Sequence, residues 1–225
     1  MPISRSLSSL AGAMVLAALI FLTTRTVAAY VGGTLLAFGS FVYYHRSRWQ
    51  VFGRWGGTAN ALTALRGLGL IGLCFTIDSL HPYLVLMLGI FILVLDGLDG
   101  YYARRYHTTS DFGDAFDKEV DALFVLSFGV MIVDRRLAGS WVILPGLLRY
   151  AYVIGLTFLD PPPSPPKPSF RRRFVGMWLM GTLLAPFALP TAVYLPGLIF
   201  ATAMVVGSFV TDFYRAVREQ SAVKA

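Results

Sequence analysis

The sequence has little charge and almost no cysteine, and both shortages limit what the chain can be. Of its 225 residues, 14% are charged and 56% are hydrophobic, whereas a soluble domain has roughly 25% and 45–50%. The single cysteine, Cys74, lies in an apolar run with no CxxC motif or histidine cluster nearby. Intramolecular disulfides and structural zinc are therefore excluded. The mean hydropathy of +0.65 indicates that lipid solvates most of the chain.

The excess of basic residues does not indicate a nucleic-acid-binding protein. The formal net charge is +7, but the cations are spread over short segments between apolar runs and form no single basic face. With the N-terminus in the cytoplasm, only Arg25, Arg135 and Arg136 of the loop cations fall on the opposite side, as the positive-inside rule requires. We therefore expect a multi-pass protein of a bacterial inner membrane with no nucleic-acid partner.

Eight apolar stretches predict membrane-spanning helices, since a span needs about 20 mostly apolar residues. They are residues 7–24, 26–44, 59–77, 82–103, 117–133, 139–159, 174–189 and 192–213. An alternative for the first is a cleaved signal peptide, because Arg5 precedes it and Val27-Ala28-Ala29 resembles a cleavage site. Clustered prolines at residues 160–169 predict an extended linker outside the bilayer.

Acidic residues are concentrated at two predicted helix ends that face one loop. Asp96 and Asp99 are three residues apart, and Asp117 and Asp121 are four apart, so each pair shares one helix face. Four ionised carboxylates in a poorly hydrated volume repel one another, and hard divalent cations relieve that repulsion. Two such ions can polarise a pyrophosphate and leave one carboxylate to accept a proton from a hydroxyl.

These aspartates belong to a pattern that resembles the signature of the CDP-alcohol phosphatidyltransferase family. All eight fixed positions are present in Asp96-x2-Asp99-Gly100-x2-Ala103-Arg104-x8-Gly113-x3-Asp117-x3-Asp121. Upstream, Asn60-x2-Thr63-x2-Arg66 resembles an element of the family's first span, although Ala59 stands where proline is common. The resemblance covers residues 59–213 and leaves the first two spans outside the family's common core.

The resemblance implies two divalent cations, Mg²⁺ or Mn²⁺, held by the four aspartates. Asp96, Asp99 and Asp117 would ligate one ion, and Asp96, Asp117 and Asp121 the other. Asp121 would also be the general base. The implied contacts to the CDP-linked lipid are Asn60, Thr63, Gly100, Arg104 and Ser110.

The resemblance also implies a fold and a reaction. We expect an all-α polytopic bundle with two additional spans at residues 1–54, a six-span catalytic domain at 55–216 and a cytoplasmic tail at 217–225. The expected enzyme transfers a phosphatidyl group from CDP-diacylglycerol, or a similar CDP-lipid, to an alcohol and releases CMP. A homodimer and a role in phospholipid biosynthesis are implied as well.

The signature does not define the alcohol, because members that use glycerol 3-phosphate, inositol phosphate or serine share it. Arginines favour a phosphorylated acceptor, first of all glycerol 3-phosphate, since guanidinium groups bind phosphate oxygens in pairs. The expected acceptor contacts are Arg66, Arg149, Arg171, Arg172 and Arg173. Snorkelling and attraction to anionic lipid are the alternatives for these cations.

Three other functions stay open from the sequence. One is the same chemistry with serine or another alcohol that carries no phosphate. The others are an ion-coupled transporter, which also places carboxylates within spans, and a membrane lipid-binding protein without catalysis. A transporter typically has inverted repeats or broken helices, and neither is evident here, while the presence of all four aspartates argues against a silent relative.

Overall fold

The computed structural model describes residues 3–49, 57–105, 110–158 and 170–224. Within these ranges the chain is helical and contains no strand, which confirms the all-α bundle. The α-helices are α1 (Ile3–Thr24), α2 (Val27–Tyr44), α3 (Arg46–Trp49), α4 (Gly57–Phe75), α5 (Pro82–Arg105), α6 (Asp111–Asp134), α7 (Leu144–Leu156), α8 (Phe170–Leu184) and α9 (Thr191–Lys224). Short 3-10 segments lie at Ile77–Ser79, Ser140–Ile143 and Ala185–Phe187.

The helices other than α3 correspond to the eight predicted spans, with two informative differences. Helix α6 begins at Asp111 rather than at residue 117, because the Ser110 hydroxyl caps it by accepting a hydrogen bond from the Gly113 N–H at 3.0 Å. Helix α9 continues to Lys224, so the predicted tail is helical over most of its length. The predicted proline linker lies outside the described residues.

The outer helices have the composition of membrane spans. Among the described residues, three helical segments are long and apolar enough to cross a bilayer: Ser6–Thr24, Val27–Tyr44 and Thr191–Arg218. Shorter apolar helices occupy Ala59–Phe75, Pro82–Leu98, Ser140–Leu156 and Phe174–Phe187. Large apolar side chains such as Leu36 and Phe75 are exposed on these helices, which is favourable in lipid and costly in water. The chain is therefore a membrane protein.

Helix α6 lies at the centre of the bundle. Every residue from 122 to 133 is buried, because α1, α4, α7 and α8 all pack on this helix. Helix α7 comes especially close at Gly146, where an added Cβ would lie 2.9 Å from the Leu126 Cα. This approach places Arg149, which follows Gly146 by less than one turn, beside α6.

The two N-terminal helices pack directly on the remainder of the bundle. Helix α1 contacts α7, and α2 contacts α4. The buried hydroxyls of Tyr30 on α2 and Ser127 on α6 share a hydrogen bond of 3.0 Å. Near the start of α6, the ring of Phe41 stacks on Phe112 and Phe116, with centroids 5.7 and 6.5 Å away. The additional spans therefore contact α6 near its beginning and again along its buried length.

Candidate active site

Three acidic side chains converge where α4, α5 and α6 meet. Asp96 lies in the C-terminal half of α5, and Asp117 and Asp121 lie one turn apart on α6, while α4 packs against both helices. One carboxylate oxygen from each residue lies within 4.8 Å of the others. The structure thus brings together three of the four predicted metal ligands, and the side chain of Asp99 lies outside the described part of the structure.

The guanidinium of Arg66, on α4, lies among these carboxylates. Its Nη2 is 2.6 Å from Oδ1 of Asp96 and 2.6 Å from Oδ1 of Asp121, and its Nη1 is 2.9 Å from Oδ1 of Asp117. In the structure Arg66 is the counter-ion of the cluster, and its predicted role as an acceptor contact stays a prediction. Charge-assisted hydrogen bonds to three carboxylates outweigh any gain from reaching the membrane interface.

The chemistry of this cluster fits a divalent metal centre. Its donors are carboxylate oxygens, the ligand type that Mg²⁺, Mn²⁺ and Ca²⁺ prefer. The single charge of Arg66 offsets only one of the three formal negative charges, so the remainder favours further cations. The aspartate side chains are 33–40% exposed, whereas Arg66 is 2% exposed. The carboxylates are therefore accessible from outside while the guanidinium supports them from within.

Three predicted contacts to the CDP-lipid lie on α4 and at the start of α6. Asn60 and Thr63 are buried and occur with Arg66 at intervals of three along one side of α4, and Ser110 caps α6. At Gly113 an added Cβ would lie 2.9 Å from the Asn60 Oδ1, so glycine permits this approach. The buried Nδ2 of Asn60 has no hydrogen-bond partner within the described residues, which leaves a donor for a ligand.

A cavity of about 580 Å³ lies between α6, α7, α8 and α9, a volume within the roughly 300–1,000 Å³ of small-molecule sites. Four charged side chains line it: Lys118, Asp121, Arg149 and Asp212. The rest of the wall is mainly apolar and includes Val125, Leu179, Met180, Val205 and Phe209. Asp121 belongs both to the acidic cluster and to this wall, so the cluster and the cavity adjoin at this residue.

Arg149 is held in the cavity wall by a glutamate that the sequence interpretation overlooked. Its Nη2 donates to Oε1 of Glu119 at 2.8 Å, and the Arg149 side chain is 27% exposed. Glu119 lies two residues from both Asp117 and Asp121, so it projects from the opposite face of α6. The sequence does contain a signal for this pair. Glu119 lies inside a predicted span, where ionisable residues are rare and usually have a partner.

For six predicted site residues the structure describes the backbone alone. They are Asp99, Gly100, Arg104, Arg171, Arg172 and Arg173. The first three continue the backbone of α5, and the other three lie in the first turns of α8. Their assignments stay predictions.

The all-helical membrane bundle thus carries an acidic cluster next to a cavity whose wall combines charged and apolar side chains. The model of the CDP-alcohol phosphatidyltransferase family matches residues 57–211. The chain belongs to the CDP-alcohol phosphatidyltransferase family and is a transferase. This confirms the resemblance predicted from the eight-residue signature.

A curated relative gives a narrower comparison. The CDP-diacylglycerol--glycerol-3-phosphate 3-phosphatidyltransferase of Bacillus subtilis (strain 168) is 34% identical over 61 residues, which is 27% of this chain and 32% of the relative. The match therefore spans about a third of that relative's length. No solved structure matches the chain significantly.

Proposed function

We propose that this enzyme transfers a phosphatidyl group from a CDP-diacylglycerol-type lipid to a phosphorylated alcohol, first of all glycerol 3-phosphate, and releases CMP. The observation that carries the proposal is the position of Asp121, which lies in the acidic cluster and also lines the cavity that holds Arg149. The Bacillus subtilis relative, named for glycerol 3-phosphate, supports the same acceptor.

In this proposal the four aspartates hold two divalent cations, Mg²⁺ or Mn²⁺. Asp96, Asp99 and Asp117 would ligate one, and Asp96, Asp117 and Asp121 would ligate the other. Bound there, such ions would supply positive charge that stabilises a pyrophosphate leaving group. The convergence of the three described carboxylates and the uncompensated charge around Arg66 support this assignment.

Asp121 removes the proton from the acceptor hydroxyl. The acceptor oxygen then attacks the phosphorus that carries the diacylglycerol group. A new oxygen–phosphorus bond forms, the bond from that phosphorus to the bridging pyrophosphate oxygen breaks, and CMP leaves with the bridging oxygen. The CDP group is oriented by Asn60, Thr63, Gly100, Arg104 and Ser110, among which Asn60 offers an unused buried donor.

Arg149 gives the cavity its preference for a phosphorylated acceptor. Its guanidinium faces the same cavity as Asp121, and Lys118 adds a second cation to the wall. Arg171–Arg173, the other predicted acceptor contacts, precede the wall residue Val175 in the sequence. Guanidinium groups bind phosphate oxygens through paired N–H donors, so a phosphate held here leaves the hydroxyl of the acceptor near Asp121.

An acceptor panel tests this proposal. Purified protein in detergent receives CDP-diacylglycerol, Mg²⁺ or Mn²⁺, and glycerol 3-phosphate, inositol phosphate, glycerol or serine, and mass spectrometry identifies the lipid product. We expect products only from phosphorylated alcohols, and we expect Arg149→Gln to raise the KM for the preferred one about tenfold or more. Arg215→Gln, which removes an exposed arginine of α9, is the matched control. Products from serine or glycerol alone would contradict the acceptor assignment.

We also propose that the site faces the cytoplasm of a bacterial inner membrane and that the enzyme is a homodimer. The distribution of loop cations supports this orientation. It places the acidic cluster where a soluble nucleotide product can leave and a membrane-held lipid can enter.

A further inference from the structure

Glu119 is a buried acidic residue with no part in the proposed chemistry. It lies between Asp117 and Asp121 in the sequence, but on the opposite face of α6, and is 1% exposed. Its Oε1 accepts a hydrogen bond from Nη2 of Arg149 at 2.8 Å. Its Oε2 is buried without a hydrogen-bond partner among the residues that the structure describes.

The stability of the bundle does not explain this ion pair. Burial of a carboxylate carries a large desolvation cost, and attraction to a partner repays it only when the remaining oxygen is also hydrogen-bonded. Well-packed apolar residues of similar volume often stabilise a protein as well or better. Because one oxygen of Glu119 has no partner, the pair is better explained by what it does to Arg149.

We propose that Glu119 is a positioning residue that fixes the guanidinium of Arg149 in the cavity wall and so determines the preference for a phosphorylated acceptor. This inference rests on the proposed acceptor site. An arginine side chain has many conformations, and ordering it on binding costs affinity. Glu119 holds one edge of the guanidinium in advance, and a guanidinium has five N–H donors, so others remain for the phosphate of the acceptor.

The arrangement of charges favours this role over direct contact. Glu119 is enclosed, so Arg149 separates its negative charge from a phosphate in the cavity. Asp121 and Asp212 also line that cavity and repel an anion. A cation held at a fixed place, in addition to Lys118 in the same wall, offsets this repulsion and favours the binding of a phosphorylated alcohol.

Steady-state kinetics of Glu119→Gln, Arg149→Gln and the double variant test the inference. We expect Glu119→Gln to raise the KM for glycerol 3-phosphate about tenfold and to leave the KM for CDP-diacylglycerol unchanged. The double variant should be no worse than Arg149→Gln, because both residues act through one contact. Tyr150→Phe is the matched control, since it removes a neighbouring buried hydroxyl that lacks a hydrogen-bond partner in the described residues.

Each alternative result has a separate meaning. If Arg149→Gln raises the acceptor KM and Glu119→Gln does not, the positioning role is wrong and the acceptor site stands. If Arg149→Gln leaves this KM unchanged, the acceptor site fails, and the inference fails with it. An equal rise in both KM values would make Glu119 merely structural. Should Glu119→Gln not fold, Glu119→Asp is the second variant, because it keeps the charge and withdraws the carboxylate by one methylene. We expect it to raise the KM for glycerol 3-phosphate and to leave the KM for CDP-diacylglycerol unchanged.

Discussion

The guanidinium of Arg66 lies between three carboxylates at 2.6–2.9 Å, and this arrangement explains how the aspartates can approach one another. The carboxylate oxygens lie within 4.8 Å of one another, and like charges this close repel strongly in a partly dehydrated site. The spacing of Asp117 and Asp121 was sufficient to predict that they share a face. Spacing was not sufficient for Arg66, because an arginine in a span can point either to the interface or into the bundle.

Replacing Arg66 by glutamine should lower the stability of the metal-free protein and increase its stabilisation by Mn²⁺ or Mg²⁺. Loss of the counter-ion leaves the carboxylates uncompensated, at a cost of about 1–3 kcal/mol, and removes a cation that competes with the metal. Thermal unfolding in EDTA and along a metal titration measures both effects. Arg215→Gln serves as the control, and an unchanged unfolding temperature in EDTA would contradict this role for Arg66.

At the scale of elements, α1, α2 and α6 meet around one buried histidine. His45 follows α2, is 2% exposed, and its Nε2 lies 2.6 Å from the Ser6 hydroxyl on α1. Its ring centroid is 5.1 Å from that of Phe41 and 5.7 Å from that of Phe112 on α6. The two additional helices, α1 and α2, therefore pack together where α6 begins, close to the Ser110 cap.

Acidification should loosen this junction. Burial, followed by the charge of Arg48, lowers the pKa of His45 from its ordinary 6.5. Because the folded pKa lies below the unfolded one, neutral His45 contributes stability above about pH 6.5, and this contribution is lost as the pH falls through the folded pKa. We expect the unfolding temperature to fall between about pH 7.5 and pH 5.5, and to fall less in His45→Gln.

His81, an exposed residue in the connection between α4 and α5, provides the control for this experiment. His81→Gln should keep the pH dependence of the wild-type protein, because that side chain is not enclosed by other helices. Identical pH profiles for the wild type and His45→Gln would show that the junction does not respond to this histidine.

The sequence predicted the helices well and their polar ends less well. Long apolar runs correspond to α1, α2 and α9 because lipid-facing spans carry the hydropathy signal directly. The start of α6 was placed too late, since Asp111 and Asp114 resemble a loop by hydropathy although Ser110 caps a helix there. Capping chemistry of this kind is local and readable, and it would have corrected the boundary.

At the scale of the whole molecule, one part of the site could be predicted from the sequence and another could not. The acidic cluster comes from helices that are near neighbours in sequence, α5 and α6, so short-range spacing was informative. The cavity and the Glu119–Arg149 pair depend on how α7, α8 and α9 pack around α6. That packing depends on contacts such as Gly146 against Leu126, which no local pattern reveals.

CMP release measures directly whether Asp121 and its neighbours catalyse a metal-dependent transfer. Purified protein receives CDP-diacylglycerol and glycerol 3-phosphate with Mg²⁺ or with EDTA. We expect release that needs both metal and acceptor, and a fall of about 100-fold or more in kcat for Asp121→Asn. Asp114→Asn, which changes an exposed aspartate of the same helix, should be as active as the wild type. CMP release by Asp121→Asn at the wild-type rate, or release unaffected by EDTA, would contradict a catalytic role for this metal-binding cluster.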